Sequence, residues 1–132
     1  AIEAALSDAG MSPDQIDHIN AHAASTPSGD LAEARAIHRV FGERAREIPV
    51  TSVKGAFGHC MAAAGALESV AAILTVHHRC IPPTLNYQTP DPSIDLNVVH
   101  GEPLAAEVHA MTKHSFGLGG QNAVLVLGRY EG

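Results

Sequence analysis

A run rich in alanine and glycine, KGAFGHCMAAAGALESV at residues 54–70, restricts the possible folds of this chain more than any other feature. Side chains this small allow a helix to approach neighbouring backbone closely, as in the centre of a packed layered domain. We therefore expect a long helix over residues 59–79 that is apolar nearly all round and buried on most of its faces. The interrupting glycines and the charge of Glu68 argue against a membrane span, so we interpret residues 55–67 as buried.

Short apolar runs and helical patterns alternate through the rest of the chain. Periodicity and turn residues predict a helix at residues 1–9, a strand at 16–21, a helix capped by Asp30 and ended by Gly42, a strand within 47–53, an extended proline-rich connector at 81–97, and a hairpin with strands near 109–115 and 123–128. Strand–helix repeats closed by a hairpin are typical of an α/β layered domain with a mixed sheet. The 132 residues, of which 45% are hydrophobic, are enough for one domain.

The charge balance excludes some classes of partner. Eight basic and fourteen acidic residues give a formal net charge of −6 without a basic cluster, so we expect no nucleic-acid surface. The two cysteines, Cys60 and Cys80, do not make a disulfide framework, and we expect a reducing, cytoplasmic setting. Because Ala1 already lies inside a helical pattern, we interpret the chain as part of a longer protein.

His59 and Cys60 are adjacent, but the spacing does not favour a nucleophile with its base. Neighbours on a helix point about 100° apart, so Cys60 is better explained as a small buried hydrophobe. His59 stands at the start of the expected helix, where a neutral imidazole can donate to a developing oxyanion; a core histidine bonded to a backbone carbonyl is the alternative. His22 follows a strand, at the edge where α/β sheets bind ligands, or else is a turn histidine.

Other polar features define no site by themselves. Taken alone, Lys54 is an ordinary surface lysine, and His77-His78 has no further ligand at metal-binding spacing, so we expect no metal. The glycine-rich turn at residues 115–122 lacks the spacing of a phosphate loop or a dinucleotide fingerprint. It predicts either a tight hairpin or a close approach of backbone to a ligand.

Four blocks in this order resemble the β-ketoacyl-acyl-carrier-protein synthases, the elongating condensing enzymes of type II fatty-acid synthesis. They are NAHAASTPSGDLAEARAI from Asn20, VTSVKGAFGHCMAAAGALES from Val50, IPPTLNYQTPDPSIDLNVV from Ile81 and HSFGLGGQNAVLVL from His114. The resemblance spans nearly the whole chain and implies a thiolase-like fold, with residues 1–132 as the C-terminal half of an αβαβα sandwich. It also implies that the N-terminal half, which carries the nucleophilic cysteine, lies outside this chain.

The resemblance implies roles for individual residues. His22 and His59 would hold the malonyl thioester carbonyl, promote decarboxylation and stabilise the enolate that attacks the acyl-cysteine. Lys54 and Glu68 would complete the catalytic set. The substrate-binding positions would be Ser25 and Thr26 of the first block and Phe116, Gly117, Leu118 and Gly119 of the hairpin.

The same resemblance implies the partners and cofactors. Substrates would arrive on the phosphopantetheine of an acyl carrier protein, with no other cofactor. Further partners would be the N-terminal half of the same enzyme and, for the full enzyme, a second copy in a homodimer. This chain alone would be inactive for condensation, and we expect it to expose a large apolar face.

Three features depart from the family pattern. Ala23 and Ala24 replace the usual Gly-Thr after His22, which removes a hydroxyl expected to bond the carrier arm. Leu118 replaces the second gate phenylalanine, and His114 replaces an asparagine. The third departure is the missing nucleophile motif.

Two alternatives to a fatty-acid synthase stay open. One is a ketosynthase of a type II polyketide system, and the other is a non-catalytic partner that resembles a chain-length factor. Such partners usually lose the active-site histidines, whereas His22 and His59 are both present. The residue at the upstream nucleophile position distinguishes a catalytic from a non-catalytic parent.

Overall fold

The computed structural model describes residues 1–130 and 132, which contain four α-helices and seven β-strands. In chain order these are α1 (Ile2–Asp8), β1 (His18–Asn20), α2 (Pro27–Phe41), β2 (Pro49–Thr51), α3 (Lys54–Phe57), α4 (Ala64–His78), β3 (Cys80–Ile81), β4 (Asn97–Val98), β5 (Leu104–Ala105), β6 (Ala110–Phe116) and β7 (Asn122–Gly128). Short 3₁₀ segments occur at Pro13–Gln15, Gly42–Arg46 and Met61–Ala63.

The central sheet has five strands in the order β4-β2-β1-β6-β7. β1 pairs in parallel with β2 and β6, β4 runs parallel to β2, and β7 forms an antiparallel hairpin with β6. β3 and β5 form a separate antiparallel pair. The expected mixed sheet and its closing hairpin are therefore confirmed. The carboxyl ends of the parallel strands meet at one edge, where the loops that follow them can build a site.

Helices cover both faces of this sheet. On one face α1 and α2 bury an apolar cluster that includes Ile37 of α2 and Ile19 of β1. On the other face α4 contributes Ala72 to a second cluster with Met111 of β6. Because side chains alternate along a strand, His18, the neighbour of Ile19 and the register partner of Met111, faces α4.

The helix expected over residues 59–79 is shorter than the pattern predicts and begins at Ala64. The four-residue helix α3 precedes it, and a break at residues 58–60 separates the two. Gly58 has a φ of 76°, a left-handed conformation that favours glycine and ends α3. His59 therefore lies in an exposed loop. Residues 55–63 are mostly exposed, so the expectation of a buried segment is wrong.

The expectation that α4 is buried on most faces is also wrong. Its sheet-facing side consists of Ala64, Glu68, Ala72 and Thr75, spaced three or four residues apart. The opposite side leaves an apolar stripe exposed, which we call the α4 stripe: Leu67, Val70, Ile73 and Leu74. No element in the described part of the chain covers these side chains, although the helix sequence is apolar all round.

α2 begins four residues earlier than expected. Thr26 is its N-cap and Pro27 its first residue, so Asp30 lies in the first turn and is not the cap. A proline suits the first helical position because the N–H that it lacks has no partner there. The helix ends at Phe41, with Gly42 after it, as the pattern predicts.

The proline-rich connector runs without regular structure past α3, as expected. A Cβ atom on Gly55 would lie 2.5 Å from the backbone oxygen of Leu85, so the two backbones are in direct contact. The side-chain amide of Asn86 also donates to the Gly55 carbonyl, at 3.3 Å. The connector is thereby attached to the helix that carries Lys54.

Within residues 1–130 and 132, no helix has both the length and the apolar character needed to cross a membrane.

His18 occupies a fully buried position on β1. Neither of its ring nitrogens meets a hydrogen-bond partner in the described part of the chain. Burial lowers the pKa of this imidazole to about 3, so the ring is neutral at neutral pH.

We predict that His18 makes stability depend on pH. The unfolded chain protonates this histidine below about pH 6.5 while the folded chain does not, so the free energy of unfolding falls as pH decreases from 6.5 towards 3. The contribution is about 1.4 kcal/mol per pH unit. In urea unfolding between pH 7 and pH 4, His18→Leu should flatten this slope, whereas the exposed control His77→Gln should leave it unchanged. If the free energy of unfolding of His18→Leu depended on pH as steeply as that of the parent, His18 would not be the source of the pH dependence.

A second prediction concerns the contact between α3 and the connector. Gly55→Ala should lower the free energy of unfolding by about 2 kcal/mol, because the new methyl group overlaps the Leu85 carbonyl. Gly65→Ala is the matched control, since a Cβ there meets its nearest atom at 3.9 Å. That variant should gain up to about 1 kcal/mol from helix propensity. Thermal unfolding of both variants tests the contrast, which similar midpoints would disprove.

Candidate active site

The loop that follows β1 positions His22 through its backbone. The backbone N–H groups of His22 and Ala23 donate to the two carboxylate oxygens of Glu33 on α2, at 2.9 and 2.8 Å. On the other side of the peptide unit, the ammonium of Lys54 donates to the His22 carbonyl, at 2.5 Å. The half-buried imidazole is therefore held by its main chain, and its ring remains available for other contacts.

His22 and His59 come together from separate loops. Their ring centroids lie 5.4 Å apart, with the ring planes nearly perpendicular. His22 follows β1, whereas His59 lies in the break between α3 and α4, and 36 residues separate them in sequence. The structure thus brings together the two histidines that the sequence singled out.

The tautomer of His59 follows from one hydrogen bond. The backbone N–H of Met61 donates to Nδ1 of His59 at 3.3 Å, which requires a lone pair on that nitrogen. A neutral His59 ring then carries its proton on Nε2, so Nε2 is the donor available to a ligand. The expected donor role does not need the helix N-terminus, because α4 begins five residues later.

His22 is biased towards its neutral form. Burial lowers the pKa of its imidazole, and the nearby positive charge of Lys54 lowers it further. Smaller opposite contributions from Glu33 and Glu68 do not cancel this shift. A neutral imidazole can donate one N–H to an oxygen that becomes negatively charged.

Lys54 and Glu68 form a buried ion pair beneath the histidines. Both side chains are almost inaccessible to water, so the reading of Lys54 as an ordinary surface lysine does not hold. Glu68 projects from the sheet-facing side of α4, and Lys54 opens α3. The pair therefore joins these two helices and aims the Lys54 ammonium at the His22 backbone.

A second lysine, Lys113 of β6, reaches the same carboxylate. Its ammonium lies 2.9 Å from Oε2 of Glu68 and also donates to the hydroxyl of Ser115. The side chain is 2% exposed. The sequence patterns do not single out this residue, because its neighbours in β6, Thr112 and His114, are themselves polar.

Glu33 is a further residue that the sequence analysis missed. It is buried on the sheet-facing side of α2, and it accepts a hydrogen bond from Nδ1 of His114, at 2.9 Å, besides those from the loop. Burial raises the pKa of this carboxyl, but the hydrogen bonds and the charge of His114 outweigh that effect, so the pKa lies below its usual range. A carboxylate held in this way fixes the backbone beside His22. Its signal in the sequence was a charge among the apolar positions Ala34 and Ile37.

The backbone after His22 is strained. Ala23 and Ser25 have φ values of 32° and 63°, in the left-handed region that favours glycine. The two hydrogen bonds to Glu33 hold this conformation, which is of the kind found where a chain turns sharply around a site.

A cavity of about 770 Å³ opens beside His59. Ser25 and Thr26 line it together with Lys54 and His59, and the connector residues 84–91 form much of the opposite wall. Two of the six expected substrate-binding residues, Ser25 and Thr26, therefore face an open volume next to the site.

The hairpin contributes one side chain to the site. The ring of Phe116 lies 5.8 Å from that of His22 and 5.6 Å from that of His114, measured between centroids. Leu118, at the tip, is 99% exposed and contacts none of these rings in the structure. Gly117 and Gly119 lie against the Gln121 side chain, so they shape the turn itself.

Cys60 has no partnership with its neighbour. It is half-buried rather than fully buried, and its thiol points to the backbone oxygens of Phe57 and Gly58 at 3.6 and 3.9 Å. Both Cys60 and Cys80 are free thiols. The expectation that His59 and Cys60 are not a base with its nucleophile agrees with this geometry.

Known proteins share this arrangement of sequence and fold. Residues 1–88 match the sequence family described as the β-ketoacyl synthase C-terminal domain. A relative from Coxiella burnetii, named 3-oxoacyl-[acyl-carrier-protein] synthase 2, is 44% identical over 124 residues. The alignment covers 94% of this chain and 30% of that relative, so the chain spans about a third of the length of such relatives.

Solved structures agree with the sequence match. The ishigamide ketosynthase/chain length factor superposes with a TM-score of 0.93 at 40% identity. A type II polyketide acyl-carrier protein in complex with its ketosynthase, bound to the hexaketide, gives a TM-score of 0.95 at 40% identity. Each match covers 98% of this chain and 32% of the other chain.

The resemblance that the four sequence blocks indicated is thus confirmed. The mixed α/β architecture is the thiolase-like fold of the ketosynthases. With its match to the C-terminal domain and identities of 40% and above over almost its whole length, the chain belongs to the β-ketoacyl synthase family.

Proposed function

We propose that this chain is the histidine-bearing part of a 3-oxoacyl-acyl-carrier-protein synthase that elongates fatty acids by decarboxylative condensation. The observation that carries the proposal is the pair of His22 and His59, 5.4 Å apart, above the buried Lys54–Glu68 ion pair. His22, His59, Lys54 and Glu68 then form the catalytic set, with the nucleophilic cysteine supplied from outside this chain.

The reaction needs two N–H donors on one oxygen. In a malonyl thioester the bond between the carboxylate and the methylene carbon breaks, CO₂ leaves, and the electron pair forms an enolate whose charge lies on the thioester oxygen. Nε2–H of His59 and an N–H of His22 donate to that oxygen and stabilise it more as its charge grows. The lowered pKa of His22 does not prevent this role, because a neutral imidazole keeps one N–H to donate.

Condensation follows from the enolate. Its carbon forms a bond with the carbonyl carbon of an acyl group held as a cysteine thioester, and the acyl carbon–sulfur bond breaks. The cysteine leaves as a thiolate, and the new 3-oxoacyl thioester stays on the carrier. The ring of Phe116 beside His22 then borders the acyl group on the hairpin side.

An acyl carrier protein is the partner that this reaction requires. The cavity beside His59 has the volume and the position to take a phosphopantetheine arm, with Ser25 and Thr26 as polar contacts. One structural relative is itself a complex of a carrier protein with its ketosynthase, which supports the assignment. No cofactor other than this carried arm enters the mechanism.

The remaining parts of the enzyme are inferred from what the chain leaves uncovered. The relatives are about three times as long as this chain, and the α4 stripe exposes apolar side chains in a helix layer. We assign the N-terminal half of the same enzyme as the partner of this stripe, because burying it completes a five-layer sandwich. The full enzyme is proposed to act as a homodimer.

A type II polyketide ketosynthase is the second candidate function. It is favoured by one structural relative at 40% identity, the type II polyketide ketosynthase in complex with its acyl-carrier protein. A non-catalytic subunit that resembles a chain-length factor is less well supported, because both histidines are present and face each other. A cysteine at the upstream nucleophile position supports catalysis, and another residue there supports the subunit role.

We predict that both histidines are needed for decarboxylation. His22→Ala and His59→Ala, each made in the full-length protein, should lower the rate of CO₂ release from malonyl-acyl carrier protein by about 100-fold, since each removes one oxyanion donor. His77→Ala, at an exposed helix end, is the control and should keep the parental rate. Parental rates in either active-site variant would refute the assignment.

The pH dependence of the same step tests the role of Lys54. Because the pKa of His22 is lowered, the rate should stay constant to below pH 6.5 on the acid side. Lys54→Met removes a positive charge that lowers this pKa, so the fall in rate on the acid side of the pH–rate profile, the acid limb, should move to higher pH. Lys54→Arg should return the acid limb to its parental position. A limb that does not move in Lys54→Met would exclude this electrostatic coupling.

A further inference from the structure

The chain contains two lysines, and both are buried on the same carboxylate. Lys54 and Lys113 are the only lysines among 132 residues, while the other basic residues are six arginines. Lysine is ordinarily the most exposed of side chains, so a pair buried together needs a cause. Both ammonium groups contact Glu68, which is 2% exposed.

The cluster of Lys54, Lys113 and Glu68 carries more positive than negative charge. Two ammonium groups face one carboxylate, which leaves a formal charge of +1 in a dry environment. The Lys113 ammonium also lies beside the first turn of α4, since a Cβ on Gly65 would lie 4.0 Å from Nζ. The positive end of a helix dipole disfavours a cation there. Burial away from water and the helix dipole therefore both make the surplus positive charge unfavourable.

The Lys54–Glu68 pair alone is already neutral. Lys113 is therefore not needed to compensate a buried charge, and its second acceptor, Ser115, is an uncharged hydroxyl. A residue that adds cost to the folded state is commonly retained for function. The functional gain therefore has to come from an anionic ligand that binds near the lysine.

We propose that Lys113 supplies the surplus positive charge by which the His22–His59 site attracts and stabilises an anionic thioester. This inference rests on the proposed function, in which a malonyl carboxylate enters and an enolate forms, and it adds a residue to that site. Lys113 acts without touching the substrate, through contacts that connect it to the site on two sides.

Two contact paths connect Lys113 to the histidines. On one path its ammonium contacts Glu68, Glu68 contacts Lys54, and Lys54 donates to the His22 carbonyl at 2.5 Å. On the other path Lys113 donates to Ser115, whose neighbour Phe116 packs beside the His22 ring. Because the Lys113 ammonium also contacts the Glu68 carboxylate and offsets part of its charge, the charge of Lys54 acts on the site with less opposition.

The experiment compares a charged with an uncharged substrate in the full-length protein. The probes are malonyl-pantetheine, whose decarboxylation is followed by CO₂ release, and acetyl-pantetheine, whose neutral acyl group is transferred to the cysteine. Lys113→Met removes the charge and keeps the length of the side chain. Lys113→Gln keeps a hydrogen-bond donor without the charge, and Lys113→Arg keeps the charge.

The expected result is a split between the two reactions. Lys113→Met and Lys113→Gln should lower kcat/KM for malonyl-pantetheine about tenfold, or ~1.4 kcal/mol, while acetyl transfer stays within about twofold. Lys113→Arg should keep most of the decarboxylation rate. The thermal midpoints of Lys113→Met and Lys113→Gln should equal or exceed that of the parent, because each leaves a neutral buried pair.

Arg79→Met is the matched control, since it removes a positive charge from an exposed ion pair with Glu107. It should change neither reaction. Equal losses in both reactions, a lower midpoint in Lys113→Met and Lys113→Gln, or an unchanged malonyl rate would overturn the inference and leave the proposed function intact. If the parent protein itself releases no CO₂ from malonyl-pantetheine, the proposed function fails, and the inference fails with it.

Discussion

The carboxylate of Glu68 is the interaction on which the site depends. It sits on the inner side of α4 and binds Lys54 from α3 and Lys113 from β6, so one side chain joins two neighbouring helices to a strand that is distant in sequence. Removing it would leave two ammonium groups facing each other without water, which is among the more destabilising changes that a core can suffer. The helix layer, the sheet and the histidine loop therefore have one common electrostatic centre.

A second buried carboxylate completes the support of the loop. Glu33 accepts the backbone N–H of His22 from one side, and Lys54, held by Glu68, donates to the carbonyl of the same residue from the other. The peptide units around His22 are thus clamped between two helices on opposite faces of the sheet. This explains how the strained backbone at Ala23 persists, because its conformation is determined from both sides.

Much of the fold could be predicted from local patterns. The helix at residues 2–8, the β6–β7 hairpin and the connector all followed from periodicity and turn residues. The break at His59 did not, because the alanine-rich run has helical propensity throughout and only the φ of Gly58 interrupts it. The exposure of the α4 stripe could not be predicted either, since apolar periodicity indicates what can be buried and not what buries it.

The residues of the candidate site likewise fall into those that sequence motifs predict and those that only the packing reveals. His22, His59, Lys54 and Glu68 were found from motifs, and the structure brings them together. Lys113 was missed because strand alternation gives no hint of a charged partner 45 residues earlier in the chain. Contacts between side chains of distant elements are decided by packing, which a single sequence does not display.

The burial of both lysines has a consequence for the chemistry of the surface. Thioesters acylate free amines without any enzyme, and exposed lysines are the amines that proteins ordinarily offer. Here the six arginines carry the remaining side-chain positive charge, and guanidinium groups stay protonated and are poor nucleophiles at neutral pH. This chain thus presents no exposed lysine to the activated acyl groups proposed as substrates, and its two lysines are engaged with a carboxylate.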